Sequence, residues 1–250
     1  MTRPDLRVHA DPRALASALA QEAVQVLAAL VDERRDTPHP VEVAVAGGFV
    51  ATTVLPHLLS HVDLVDWTRV RIWWVDERFV PAGSPERNDE EAGRCALDAL
   101  PGLATAPMPT DRGQKLEAAR KDFLALWQRE MVGRRLDLTV LGMGPDGHVA
   151  SLFPGHPWTR MGASAPEVLA VEDSPKPPRQ RLTLSMPVLL GSRHLWLAAA
   201  GAAKAPVLAR ALSGAAPQDL PVAALWSDEA PWHALRTTRC TVWTDAEALA

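Results

Sequence analysis

The segment Leu136-Asp-Leu-Thr-Val-Leu-Gly142-Met-Gly144-Pro-Asp146-Gly147-His148 passes from an apolar run of strand length into a glycine-rich turn that ends on an imidazole. An imidazole displayed on such a turn can serve as a general base near neutral pH when a carboxylate holds its other nitrogen, and Asp146 is the nearest carboxylate in sequence. Gly144 and Gly147 supply the backbone freedom that the turn needs. The same glycines also spell G-x-G-x-x-G, the fingerprint of dinucleotide-binding folds. That reading demands a long helix straight after the third glycine and an acid about 20 residues further on. Glu172 could imitate the acid, but Pro154, Gly155, Pro157 and Gly162 interrupt the helix, and an interior proline costs a helix about 3 kcal/mol. No dinucleotide, other cofactor or metal is expected. Ser151 follows His148 by three positions, yet the G-x-S-x-G turn of a serine hydrolase is absent.

Other residues could hold an anion. Asp76-Glu77-Arg78 follows the apolar run 70–75, with Asn88 a short loop later, and Arg78 offers a rigid guanidinium to an anionic or carbonyl oxygen. A second Asp-Glu-Arg, at 32–34, falls at a helix end and reads as a solvated corner, so context separates the two copies. Gly47-Gly48 closes the run 41–46 and precedes a helical pattern, which suits either a phosphate cradle or a turn of close packing. Lys176 and Arg181 lie on and just after a proline-stiffened loop, and Lys204 opens a helix after Gly201. Each alone reads as a basic surface loop. Together they look like partners for a small phosphorylated ligand.

Several elements must position these groups. Asp11-Pro12 with Leu15, Leu19, Val26, Leu27 and Leu30 predicts a capped amphipathic helix to about Arg35. Short apolar runs at 41–46, 70–75, 136–141, 182–186, 195–200, 222–225 and 241–243 read as strands, and helical patterns fall at 49–61, 85–100, 114–132 and 203–212. Strands alternating with helices predict an α/β fold, a mostly parallel sheet with helices on both faces, Rossmann-like, with room for a small additional lobe. Ligands of such sheets bind beyond the carboxyl ends of the strands, so one rim should gather all the candidate groups. Residues 1–250 are read as a single domain. The Pro/Gly-dense stretch 153–178 is too long for an ordinary connection and reads as a binding loop or a partly structured lid.

Composition narrows the alternatives. With 250 residues, 47% of them hydrophobic, the chain can bury a core without staples. Cys95 and Cys240 lie far apart with no metal-ligand spacing, and read as two buried, reduced thiols. A net charge of −4 gives no footprint for nucleic acid. No apolar leader and no stretch of about 20 apolar residues is seen, so no membrane partner is expected and a cytoplasmic location is. A monomer or small homo-oligomer fits.

The blocks Ala46-Gly-Gly48, Trp74-Val-Asp-Glu-Arg-Phe-Val-Pro81 with Asn88, 136–155, Ser174-Pro-Lys-Pro-Pro178 with Arg181-Leu-Thr-Leu184, and Gly201-Ala-Ala-Lys204 occur in an order that resembles the glucosamine-6-phosphate isomerase/6-phosphogluconolactonase family. Ser151-Leu-Phe-Pro-Gly155 looks like the lactonase branch. The amino-sugar isomerases carry an Asn-Glu-Pro type sequence there. The resemblance implies hydrolysis of a phosphorylated sugar lactone, with His148 as base on water, Asp146 and Arg78 organising the site, and Lys176 and Arg181 holding phosphate. Gly47, Gly48, Asp76, Asn88, Gly144 and Lys204 complete the implied substrate contacts. Phe49 departs from the family, which usually has a small hydroxyl residue or Gly there; Thr52, Thr53 or the amides alone remain as substitutes. A sugar-phosphate isomerase or deaminase, and a non-catalytic sugar-phosphate sensor, are the alternatives.

Overall fold

The computed structural model describes residues 3–250. Seven strands form one sheet in the order β1-β10-β9-β6-β2-β3-β5, with every neighbouring pair parallel. They are β1 (Asp5–His9), β2 (Val41–Val45), β3 (Val70–Trp74), β5 (Ala104–Ala106), β6 (Leu138–Gly142), β9 (His194–Ala199) and β10 (Cys240–Asp245). All five residues of β2 are buried, and adjacent Trp73 and Trp74 of β3, which must point to opposite faces, are both buried, so both faces of the sheet are covered. Three further strands, β4 (Asp76–Arg78), β7 (Val168–Val171) and β8 (Arg181–Leu184), form a small antiparallel sheet in the order β4-β8-β7. This is the additional lobe the sequence left room for.

Helix α1 (Pro12–Glu33) starts as its sequence dictates: the Asp11 carboxylate accepts from Ala14 N–H at 2.8 Å, and Pro12 occupies a position that needs no donor. Its most apolar 18 residues average a hydropathy of 1.6, long and apolar enough by composition to cross a membrane, which corrects the sequence-based expectation that no such stretch exists. In the structure Leu15, Leu19, Val24, Leu27 and Leu30 are buried in the same core as the sheet. Helices α2 (Asn88–Cys95) and α3 (Leu116–Glu130) follow the predicted patterns, α3 packing Phe123 and Trp127 edge-on against Trp73. The second Asp-Glu-Arg proves structural: Arg34 pairs with Asp137, and Glu33 with Arg193 at 2.8 Å.

Four expectations are corrected. Residues 222–225 are not a strand but part of a 3-10 turn, Pro221–Leu225, because a buried run of four with a leading proline carries no period to separate the two. Residues 182–184 lie in the antiparallel lobe, and Met186 begins a helix, Met186–Leu190. The pattern at 49–61 is helical but not α: a π turn, Val50–Val54, runs into a 3-10 segment, Leu55–Leu64. Cys95 is half-buried rather than buried, whereas Cys240 is buried. The stretch 153–178 is partly structured, holding a short helix, Trp158–Met161, and β7.

Chain order places the site. After β2 the chain moves outward through β3 to β5, then returns to lay β6 on the other side of β2. Crevices form where strand order reverses, and here that point lies between β2 and β6.

Candidate active site

The cleft at that reversal has a volume of about 360 Å³ and is lined by Gly47, Gly48, Asp76, Arg78, Asn88, Gly144, His148, Lys176, Arg181 and Lys204. One rim therefore holds every predicted site residue except Asp146, whose carboxylate sits behind the imidazole. A larger depression, about 590 Å³, opens at the amino ends of β6 and β9 and holds none of them.

His148 Nδ1 lies 2.5 Å from Asp146 Oδ1. A carboxylate can only accept, so Nδ1 carries the proton and the lone pair is on Nε2, the nitrogen free of any hydrogen bond among the described residues. Lys176 Nζ approaches Asp146 Oδ1 and His148 Nδ1, each at 3.3 Å. Burial pushes the Asp146 carboxyl up, but the hydrogen bond from His148 and the nearby Lys176 ammonium outweigh it and hold the group well below its ordinary value. Asp146 is thus a fixed anion at neutral pH. The turn is closed by Gly144 N–H donating to His148 O at 2.9 Å. A Cβ on Gly144 would sit 2.0 Å from His148 Cε1, while Gly147, at φ +82°, meets Leu220. These glycines let the ring and the Pro221–Leu225 turn approach the backbone. Neither opens a helix, which removes the dinucleotide reading, and Glu172 is exposed and accepts from Gln180.

The Asp76-Glu77-Arg78 segment divides by strand alternation. Asp76 and Arg78 line the cleft, and Glu77 points away to accept from the N–H groups of Arg78, Asn88 and Asp89 at 2.7, 2.8 and 2.9 Å. Arg87, 1% exposed, lies 3.7 Å from Glu77 and binds Asp89. Sequence reasoning missed the Glu77–Arg87 pair, although period-two alternation within 76–78 was its signal. Burial, opposed by the Arg87 charge, raises the Glu77 carboxyl from 4.5 to about 7. Folding then favours its neutral form, so its contribution to stability is complete below about pH 4.5 and is lost as pH rises through about 7. Melting curves should show the parent losing stability across that window relative to Glu77→Gln; parallel curves would contradict this.

In the β4–β8 register Arg78 stands opposite Arg181. Like charges facing each other across a sheet are unfavourable without an anion between or beside them. Asp76 Oδ2 lies 3.9 Å from Arg181 Nη1 and accepts from Ser151 Oγ at 2.6 Å. Ser151, weighed in the sequence only as a nucleophile and set aside, thus orients Asp76, and its own N–H donates to Thr183 Oγ1. Arg181 is buried; burial, and Arg78 beside it, lower its ordinary value while Asp76 opposes them. Lys204 is lowered by burial and then by the Lys176 charge. Arg78 Nε and Asn88 Oδ1 are buried without a hydrogen-bond partner among the described residues. An unpartnered buried donor and acceptor in one cleft are matched to a polar ligand.

The Gly-Gly turn differs from a simple cradle. Gly48, at φ +58°, already donates its N–H to Glu91 Oε2 at 3.2 Å, and Asn88 Oδ1 occupies the place of a Gly47 Cβ. Thr52 Oγ1 donates to Gly48 O, and neither Thr52 nor Thr53 lines the cleft, so neither replaces the missing hydroxyl at 49. A phosphate at this amide must displace a carboxylate. Glu91→Gln should lower KM for a phosphorylated substrate about two- to fivefold, and an unchanged KM would place the phosphate away from Gly48.

Residues 10–233 match the family model of glucosamine-6-phosphate isomerases/6-phosphogluconolactonase. The chain belongs to this family. It is 35% identical to a 6-phosphogluconolactonase of Streptomyces coelicolor over 235 residues, 88% of this chain and 87% of that one. It is 35% identical to a 6-phosphogluconolactonase of Mycobacterium tuberculosis over 190 residues, 72% and 76% of the two chains. A solved 6-phosphogluconolactonase from Trypanosoma brucei superposes with a TM-score of 0.81 at 23% identity, covering 99% of this chain and 98% of its own. A monomeric glucosamine-6-phosphate deaminase superposes with a TM-score of 0.74 at 18% identity, covering 98% and 100%. At such identities the structures show the fold, which both activities share. The names of the 35%-identical relatives agree with the branch indicated by Ser151-Leu-Phe-Pro-Gly155.

Proposed function

We propose that the protein hydrolyses 6-phospho-D-glucono-1,5-lactone to 6-phospho-D-gluconate, the lactone-opening step of the oxidative pentose phosphate pathway. The observation that carries this reading is an imidazole anchored at Nδ1 and free at Nε2, inside a cleft lined by Arg78, Lys176, Arg181 and Lys204. The relatives named as 6-phosphogluconolactonases supply the substrate. Nε2 of His148 takes a proton from water as that water attacks the lactone carbonyl carbon, a role worth about 10²–10⁴-fold. The fixed Asp146 carboxylate holds the ring and offsets the imidazolium that forms. Arg78 Nε, the unpartnered donor, faces the developing oxyanion. Collapse breaks the bond from the carbonyl carbon to the ring oxygen, which receives the proton from His148. Lys176 and Arg181 hold the phosphate. A lactone is a reactive ester, so a base and a few fixed donors suffice without a covalent intermediate. Acid release in a pH-stat from freshly generated lactone tests the assignment of the anion anchor. Lys176→Ala should raise KM about tenfold with a smaller change in kcat, and an unchanged KM would place the phosphate elsewhere.

A further inference from the structure

Ser151-Leu-Phe-Pro-Gly155 marks the branch, yet the proposed chemistry uses no side chain from it beyond the Ser151 bond to Asp76. Its third residue has a role that follows from the contacts around it. Phe153 is 1% exposed, and its ring centroid lies 4.7 Å from that of His148, tilted by 38°. The Arg181 guanidinium stands over the same ring, 5.8 Å from its centroid. Arg181 also donates to the carbonyl oxygens of Lys176, Pro177 and Pro178, each at 3.2 Å, and so fixes the loop whose Lys176 ammonium reaches Asp146 and His148. The contacts close a circuit: His148, Phe153, Arg181, the Lys176 backbone, the Lys176 ammonium, Asp146, and His148 again. Phe153 is the member that touches both the imidazole and the guanidinium.

The backbone that carries the ring is held on both sides. On one side Leu152 N–H donates to Val149 O at 3.0 Å, closing a tight turn in which Ala150 adopts φ +50°, a conformation that a non-glycine residue keeps only when its surroundings enforce it. On the other, Phe153 O accepts from Trp158 Nε1 at 2.8 Å, and Trp158 packs against Trp232. An aromatic face also suits its neighbours electrostatically, because it attracts the guanidinium and the imidazolium that turnover creates. An aliphatic side chain fills space without fixing either orientation or offering that face.

We propose that Phe153 is a positioning residue that couples the base to the anion anchor, setting the His148 ring and the Arg181 guanidinium in register across one aromatic ring. The inference rests on the proposed function for its effect on turnover, but two of its readouts need no turnover.

The test is Phe153→Leu, with Phe123→Leu as control, since Phe123 is equally buried and packs on Trp73 rather than in the cleft. Calorimetry with inorganic phosphate, the imidazole NMR signals of His148, thermal melting, and kcat and KM on the lactone are measured for each. Phe153→Leu should weaken phosphate binding three- to tenfold, move the His148 signals and lower kcat about tenfold. Phe123→Leu should lower the melting temperature while leaving phosphate binding and the His148 signals alone. Phe153→Met, which fills the site with a flexible chain, carries the same expectation if the leucine variant does not fold. A folded Phe153 variant with phosphate affinity and His148 signals within error of the parent would overturn the proposal. So would a fall in kcat with phosphate binding intact, because base and anchor would then be uncoupled. If the parent fails to open the lactone, the functional reading falls, and the phosphate and NMR measurements still decide the role of Phe153.

Discussion

His148→Ala should lower kcat by about 10²–10⁴-fold and leave the affinity for 6-phosphogluconate close to that of the parent. The reason is the division of labour within the cleft. The imidazole is held by Asp146 through Nδ1, and the cations that would bind phosphate reach the cleft from elsewhere, Arg181 on β8, Lys176 in the preceding loop and Lys204 beyond β9. On the proposed mechanism, removing the ring should delete proton transfer without deleting the anchor. The side chain is 17% exposed, so its loss opens space at the cleft surface rather than in the core, and melting should shift little. Acid release compared with the competitive inhibition constant of 6-phosphogluconate separates the two effects. A variant with near-parental kcat would remove His148 as the base.

Gly144→Ala should lower kcat about 100-fold, the scale expected when a catalytic group is displaced by an ångström. Gly144 does not have a positive φ, so a methyl group there strains no backbone dihedral. It collides instead with the hydrogen-bonded His148–Asp146 pair: the added Cβ would lie 2.0 Å from His148 Cε1, 2.1 Å from Nδ1 and 2.5 Å from Asp146 Oδ1. The ring and its carboxylate must both move. Gly147→Ala makes the informative contrast, because that position combines φ +82° with a contact 2.4 Å from Leu220 Cδ2, and its first effect should be on stability. Paired measurements of kcat and melting temperature check this. If Gly144→Ala kept its rate while Gly147→Ala lost it, the turn would be positioning a different group.

The sequence made the carboxyl rim of the sheet readable because glycines and charges follow apolar runs in linear order: 47–48 after β2, 76–78 after β3, 142–148 after β6 and 201–204 after β9. It could not show the edge strands. β1 and β5 are largely exposed, and β5 has only three residues, so they lack the apolar run by which buried strands announce themselves. Residues 221–225 misled for the opposite reason, being uniformly buried and therefore without a period. The missed site residues act across long separations. Ser151 reaches Asp76, Glu91 caps Gly48, and Phe153 meets Arg181, and no local pattern encodes any of these contacts. Arg87 has no local signal of its own, and only the fold buries it beside Glu77.

The family covers two chemistries, and the 35%-identical relatives are named for one of them, 6-phosphogluconolactonase. A pH-stat comparison on two substrates separates them: freshly generated 6-phosphogluconolactone, corrected for spontaneous opening, and glucosamine 6-phosphate, assayed for ammonia and ketose. The account predicts acid release from the lactone far above the spontaneous rate and neither product from the amino sugar. Lactone opening no faster than in buffer, or ammonia released from glucosamine 6-phosphate, would contradict it.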